Sequence, residues 1–414
     1  MELKRVVVTG FGAITPIGNN AQEYWESLIN GVSGAAPITL FDSTNFKTQF
    51  ACEVKNFDPL EHFDKKEAKK MDRNTQLGLV AAKEAVIHSK ILEDNVDKER
   101  IGVIWGSGIG GLGTFESEVV SWANTDIPRF SPFFIPKMIA DITPGMISIE
   151  YGFHGPNYTT VSACASSTNA IIDSKMLIQL GKADVIVCGG SEAAVTASGM
   201  GGFNALMALS TRNDDPKTAS RPFDKDRDGF VLGEGAGCII LEEYEHAVKR
   251  GATIYAELKG GGLSADAYHM TAPHSEGLGA YLVMKGCLED AGISANEVDH
   301  INMHGTSTPL GDIAESSAIT KLFGEHAYNI QINSTKSMTG HLLGAAGVIE
   351  AIAALGTIMH GIVPPTINHF TDDERIDSRL DFTFNEAVKR DIKVAMSNTF
   401  GFGGHNACVL FKKI

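Results

Sequence analysis

Three reactive side chains occupy the same kind of place in this chain. Cys164 lies in "YTTVSACASS", residues 158–167, where the β-formers Tyr158 to Val161 give way to a run of small residues. His304 ends the strand-like "DHINM" just before "GTSTPLGD", and His341 follows "STKSMTG", where a strand-like run meets a helical one. At a strand-to-helix turn, backbone N–H groups and the helix dipole favour a thiolate, the nucleophilic form of cysteine. Small neighbours leave space for an acyl carbonyl to approach, and the adjoining N–H groups can receive its oxyanion. A cysteine nucleophile with two histidines as acid/base or oxyanion partners is a constellation for acyl transfer. The other five cysteines (Cys52, Cys188, Cys238, Cys287 and Cys408) are scattered with no C-x-x-C. They read as small core hydrophobes in a reducing, cytosolic setting, not as a zinc site or a disulfide framework.

Ten apolar strand-like runs must position these residues: "RVVVTG", "RIGVIWG", "YTTVSA", "ADVIVCGG", "GCIILEEY", "IYAELKG", "DHINMHG", "NIQINST", "KVAMSNT" and "NACVLFKK". Helix-like segments separate them, which implies α/β layers with strands buried on both faces. One unit recurs loosely. A strand at 158–162 turns at Cys164 into "NAIIDSKMLIQLG", and a strand at 329–335 leads through "KSMTGH" into "HLLGAAGVIEAIAALGTIMH", stopped by Gly361 and Pro364-Pro365. A duplicated α/β unit follows, with the divide at residues 245–253 and halves 1–250 and 251–414. Gly344 and Gly347 fall inside the second helical run, where each costs roughly 1 kcal/mol against alanine. Close packing on another backbone, or room for a substrate, would account for them.

The bulk properties narrow the function. The chain has 414 residues and a formal net charge of −15, which opposes bulk attraction to nucleic acid; an acidic partner needs a local basic patch. There is no uninterrupted apolar run of 18 residues, and "MELKRVVVTG" lacks a signal-peptide pattern, so neither a membrane span nor a leader is expected. "GIGGLG" at 108–113 fits G-x-G-x-x-G, but Phe133 stands where a ribose-binding acid belongs. In "DKDRDGFVLGEG", Asp224, Asp226, Asp228 and Gly229 mimic a calcium loop, yet its twelfth position is Gly235. "DKKEAKKMDR" pairs Lys65 with Lys69 and Lys66 with Lys70 at i,i+4, where like charges destabilise a helix. The run is either a solvated face or a docking patch for an acidic partner.

Five long motifs, in order, add up to a family. "VSACASS", "RPFDKDRDGFVLGEGAG", "HGTSTPLGD", "STKSMTGHLLGAAGVIE" and "SNTFGFGGHNA" resemble the signatures of β-ketoacyl-[acyl-carrier-protein] synthases, and the likeness runs from "VVVTGFGAITPIG" to the C-terminus. "GIGGL" and "SPFFIP" resemble the type II synthases in particular. The resemblance implies a thiolase-like fold of two similar α/β halves in five layers, α-β-α-β-α, and a homodimer. It implies Cys164 as the acyl-accepting nucleophile, His304 and His341 as the decarboxylation and condensation pair, and Lys336 and Glu350 as their support. The N–H groups of Cys164 and Phe402 match an oxyanion hole, Phe402 a gate, and Asp266 a second mobile loop. Thr306 and Thr308 match contacts to a pantetheine arm, Phe400 a further substrate contact, and Ile109 and Phe134 an acyl pocket, with Phe134 reaching across the dimer. Lys66, Lys69 and Lys70 match a carrier-protein patch that Lys65 extends. The implied partner is acyl carrier protein, and no cofactor or metal is implied. His405, after "GFGG", departs from members with threonine there and is expected to be structural. A thiolase would need a second catalytic cysteine in the last glycine loop, and a non-catalytic chain-length factor would lack the nucleophile; neither condition is met.

Overall fold

The computed structural model describes residues 3–93 and 96–414. Each of the ten strand-like runs forms a strand of one hydrogen-bonded sheet. They are β1 (Val6–Ile14), β2 (Ile101–Gly106), β3 (Asn157–Thr160), β4 (Val185–Glu192), β5 (Gly235–Glu243), β6 (Ala256–Ala265), β7 (His300–Asn302), β8 (Gln331–Asn333), β9 (Val394–Gly401) and β10 (His405–Lys412). The spatial order is β3-β2-β4-β5-β1 followed by β6-β10-β9-β7-β8. Adding five to each strand of the first half gives the second half, read outward from the junction. The duplication therefore shows as identical topology, although the two halves share little sequence.

The junction itself is slight. β1 and β6 pair only at Val7–Glu257 and Val8–Ala256. Two central helices, α2 (Ser166–Gln179) and α5 (Ala346–His360), pack against strands of both halves. The outer face of the first half carries α1 (Arg73–Ser89); that of the second carries α3 (Leu278–Ala291), with α4 (Gly311–Phe323) against it. These are the five layers of a thiolase-like fold. Three apolar cores match the layering. The central one includes Ile171 and Ile172 of α2 with Val348 and Ile352 of α5. The outer ones centre on α1 and α3.

A helix between the two halves of the sheet is covered on every side, so it needs no polar face. α5 is accordingly buried without a break from Ala346 to Ile358, apolar there but for Glu350 and Thr357, and ends at Gly361 with φ +62°. The stretch Leu343–His360 is long and apolar enough on average to cross a bilayer, but 89% of it is buried inside the protein. The helical run begins later than its sequence suggests: Leu343–Ala345 is a 3-10 turn, and Gly344 lies in that turn.

Close packing accounts for both glycines. A Cβ at Gly347 would come within 2.0 Å of Thr168 Oγ1 and 2.9 Å of Thr168 N on α2, and one at Gly344 within 2.3 Å of Gly108 N. Gly347→Ala should destabilise the fold by about 1–3 kcal/mol despite the better helix propensity of alanine, because the interhelical contact cannot widen without moving both helices. Urea denaturation tests this; a stability equal to or above wild type would show that the helices have slack.

Candidate active site

The strand that carries the nucleophile ends early. β3 stops at Thr160, and Ala163–Ala165 forms a 3-10 turn that runs directly into α2. Ala163 has φ +51°, a left-handed conformation that a residue with a Cβ adopts only when its surroundings enforce it. The second half repeats this elbow. Leu343 has φ +46°, and its 3-10 turn leads into α5. Gly344 stands in the second elbow where Cys164 stands in the first.

The elbow brings the sequence candidates together. Cys164 Sγ lies 2.9 Å from His341 Nε2. The His341 and His304 rings meet edge to face at 5.3 Å between centroids, and Phe400 packs against His304 at 5.5 Å. Cys164, His304, His341, Phe400, Phe402, Thr306, Thr308, Asp266 and Ile109 all line one mostly apolar cavity of about 580 Å³. Thr306 Oγ1 and Thr308 Oγ1 are 3.2 Å apart on its wall. Lys336 and Glu350 lie behind it as a buried ion pair.

Phe134 does not line this cavity. It begins the short helix Phe134–Met138, where its ring stacks on Phe130 at 5.4 Å. The lysine run also differs from its sequence reading. Its helix is a single turn, Lys65–Ala68, with Asp64 accepting from the amides of Lys66 and Glu67. The i,i+4 repulsion does not arise, because Lys69 and Lys70 lie past the helix end. Lys65, Lys66 and Lys69 are exposed, while Lys70 pairs with Glu67 at 2.6 Å.

The electrostatics correct one expectation. Burial pushes the Cys164 thiol up to about 12, against the lowering pull of Lys336 and of the N–H groups of Phe402 and Cys164. Burial holds His341 and His304 well below the ordinary histidine value, and Lys336 lowers both further. The resting pair is therefore a neutral thiol against a neutral imidazole, not the thiolate that the helix terminus alone would favour. His341 Nε2 is placed to take the proton as the sulfur attacks. Burial also raises Glu350, to about 7.

Two loops close over the sulfur. Phe402 follows Gly401, where a Cβ would meet Ser162 O at 2.7 Å and Cys164 N at 3.1 Å. The 400–404 loop is tied to the 266–277 loop by Asp266 N donating to Gly404 O at 2.9 Å and Gly403 N to Met270 O at 2.8 Å. Asn406 donates to Asp266 at 2.8 Å. His405 opens β10 and is exposed. The segment that mimicked a calcium loop is spent on scaffolding. Asp224 accepts from the amides of Phe370 and Thr371, and Arg227 bonds Asp373 and the carbonyls of Thr308 and Pro309. Among the described residues, no group of three or more His, Cys, Asp or Glu side chains could hold a metal ion.

Sequence reasoning missed three residues. Glu315 accepts from the amides of His304 and Gly305 at 2.9 and 3.0 Å, fixing that loop. Phe230 braces His341 edge to face at 5.4 Å. Glu192 is buried at the end of β4 and accepts from several amides. An acid closing an otherwise apolar strand, as in "VIVCGGSE", was the available signal for Glu192.

Comparison with known proteins decides the family. Residues 3–247 match the model of the β-ketoacyl synthase N-terminal domain, and residues 255–370 that of the C-terminal domain. This chain belongs to the β-ketoacyl synthase family. The synthase is 49% identical over 413 residues to 3-oxoacyl-[acyl-carrier-protein] synthase 2 of Synechocystis sp., covering 100% of this chain and 99% of that one. It is similar in structure to a β-ketoacyl synthase from Burkholderia phymatum, with a TM-score of 0.92 and 34% identity over 99% of this chain and 100% of that one. It is also similar to the ketosynthase in a type II PKS complex with its acyl-carrier protein, with a TM-score of 0.91 and 33% identity over the whole of both chains.

If His341 is the base, His341→Ala should slow alkylation of Cys164 by a neutral electrophile at pH 7 by about 10²–10⁴-fold. In that variant the rate should keep rising with pH beyond the ordinary thiol value near 8.5, since the thiol is held up rather than down. Alkylation at the wild-type rate would reduce the 2.9 Å contact to packing.

Proposed function

We propose that Cys164, His304 and His341 carry out the decarboxylative condensation of an acyl thioester with malonyl-[acyl-carrier-protein], the elongation step of fatty acid synthesis. The observation that carries this is the meeting of one thiol and two neutral imidazoles at the base of a mostly apolar cavity. Cys164 attacks the thioester carbonyl, its proton passes to His341, and the N–H groups of Cys164 and Phe402 receive the oxyanion. The carrier thiolate leaves and takes the proton. Malonyl thioester then binds and loses CO₂, and negative charge gathers on its thioester oxygen. His304 donates a hydrogen bond to that oxygen, and so does His341 once its neutral ring carries its proton on Nε2 rather than Nδ1; two donors suit an enolate whose charge gathers mainly on the oxygen while its α-carbon stays nucleophilic. The enolate carbon attacks the acyl-Cys164 carbonyl, the sulfur departs as a thiolate that takes a proton from solvent as the site reopens, and 3-oxoacyl-[acyl-carrier-protein] is released with CO₂. No step transfers electrons to or from an acceptor, so the scheme calls for no cofactor.

The remaining residues take roles around this step. Lys336, charge-paired with Glu350, keeps both imidazoles neutral. Thr306 and Thr308 meet the pantetheine arm, Ile109 and Phe400 bound the acyl chain, and the linked Phe402 and Asp266 loops exclude water before the enolate forms. The carrier docks on Lys65, Lys66, Lys69 and Lys70. The halves 1–250 and 251–414 act as two domains, one bringing the nucleophile and one the histidines. A homodimer is supported by β3, which ends the sheet, and by exposed apolar side chains that include Tyr158, Val161, Trp122, Phe133 and Ile149. Phe134 would then enter the partner's acyl site, which accounts for its absence from its own. Six free cysteines suit a cytoplasmic setting.

Cys164→Ala should retain the fold, since alanine suits the small neighbours, and should lose the acyl adduct seen by intact-protein mass spectrometry after exposure to acyl-carrier substrate. An adduct persisting in the variant would place the nucleophile elsewhere. The triple change Lys66→Glu, Lys69→Glu, Lys70→Glu should raise KM for acyl-carrier substrate at low salt and leave kcat and turnover of a small acyl-pantetheine analogue nearly unchanged. The effect should fade with added salt, because exposed charges are screened beyond about 8–10 Å at physiological ionic strength. Equal losses on both substrates would mean that docking lies elsewhere.

A further inference from the structure

Glu192 has no part in the scheme above and does not line the cavity. Yet it is fully buried, and burial pushes its carboxyl up to about 7. It also works against the nucleophile, because its charge raises the Cys164 thiol. A group that is costly to bury and unhelpful to the sulfur must be serving geometry.

Its bonds show which geometry. Oε2 accepts from Gly108 N at 2.7 Å and from Gly344 N at 3.0 Å. Oε1 accepts from Ile109 N at 3.2 Å and from Ser107 Oγ at 3.3 Å. One carboxylate thus fastens two segments from opposite halves of the chain. The first is the 107–110 turn, which presents the Ile109 side chain to the cavity with 42% of its surface exposed. The second is the elbow at Gly344, the counterpart of the nucleophile's own elbow. That turn aims its amide at a fixed carboxylate, where the first elbow aims its amide at the Cys164 sulfur. The fit is tight: a Cβ on Gly108 or Gly344 would lie 2.8 or 2.7 Å from Glu192 Oε2.

We infer that Glu192 is a positioning residue that sets the depth of the acyl site by clamping the Ile109 turn to the second elbow. The inference rests on the condensing reaction proposed above. A carboxylate suits the task because both of its oxygens accept. In Glu192→Gln one corner becomes an NH₂ group, which must face either the Gly108 and Gly344 amides or the Ile109 amide and Ser107. The clamp then fails on one side without any change in side-chain size.

The test is the ratio of kcat/KM for long against short acyl-carrier substrates in wild type, Glu192→Gln, Ile109→Ala and the double variant, each checked by thermal melt. Glu192→Gln should raise the ratio several-fold, as Ile109 is no longer held in the path of the chain. In the Ile109→Ala background the same change should leave the ratio where Ile109→Ala put it, because the side chain being positioned is gone. A lowered melting temperature with the wild-type ratio would overturn the inference and make Glu192 a brace only. So would an equal shift in both backgrounds. If Glu192→Gln does not fold, Glu192→Asp replaces it under the same criteria, since the shorter acid keeps its charge but cannot reach both segments. Failure of the underlying reaction is separate: wild type would then form no 3-oxoacyl product at any chain length.

Discussion

The two central helices begin within backbone contact of each other, and the reactive side chains are placed by that contact. Val348 N donates to Ser167 Oγ at 3.0 Å, and Gly347 packs directly on Thr168. Cys164 stands two residues before α2, and Gly344 two before α5. A side chain at Gly347 would push the two helix starts apart, one at Gly344 would push the second elbow off the 107–108 turn, and one at Gly401 would press on the backbone of the first elbow. Protein interiors do not absorb such displacements gradually, because they are packed to the density of molecular crystals. Sheet, helices and glycines therefore act together to bring two strand ends from two halves to one point.

The electrostatics follow from the same burial. Removing the cavity floor from water disfavours every charge there, which keeps the thiol and both imidazoles neutral. Lys336 reinforces the histidines' neutrality while pulling the thiol the other way, and Glu350 balances it. Such a buried pair contributes little net stability, but losing one partner would strand the other at a cost of about 3–5 kcal/mol. It fixes a positive charge beside the two imidazoles, which that charge keeps neutral.

The two loops beside the sulfur are built on the opposite principle. The 266–277 and 400–404 loops hold each other through a few backbone bonds and one Asn406–Asp266 contact. Little burial secures their outer parts, residues 266–276 and 402–403, whereas Gly401 stays packed on the first elbow. A rigid floor beneath lightly fastened loops is what the reaction proposed above would use to admit a long chain and then keep water from a carbanion.

Much of this was legible in the sequence, and the reason is local. A strand buried on both faces must be almost wholly apolar, which announced strands such as β2, β4 and β5; the half-exposed edge strand β3 was marked only by its β-formers Tyr158 to Thr160. Cys164, His304 and His341 stood out because each follows a strand's end, where α/β folds expose side chains. Composition and spacing could not give pairing order, since β1 and β6 meet through two residue pairs and no pattern marks them. Nor could they give the state of the thiol, because a helix terminus favours a thiolate and only the depth of burial reverses that preference. They placed Lys65–Lys70 on a longer helix than the chain forms, and they passed over Glu192, whose partners are 83 or more residues away, Phe230, whose partner His341 belongs to the other half, and Glu315, which a loop and a helix turn bring back onto His304 and Gly305. The sequence determined the elements and the chemistry available at their ends. The tertiary structure alone decided which ends meet, because that depends on the approach of backbones far apart in the chain, and on how deeply that approach buries the groups it joins.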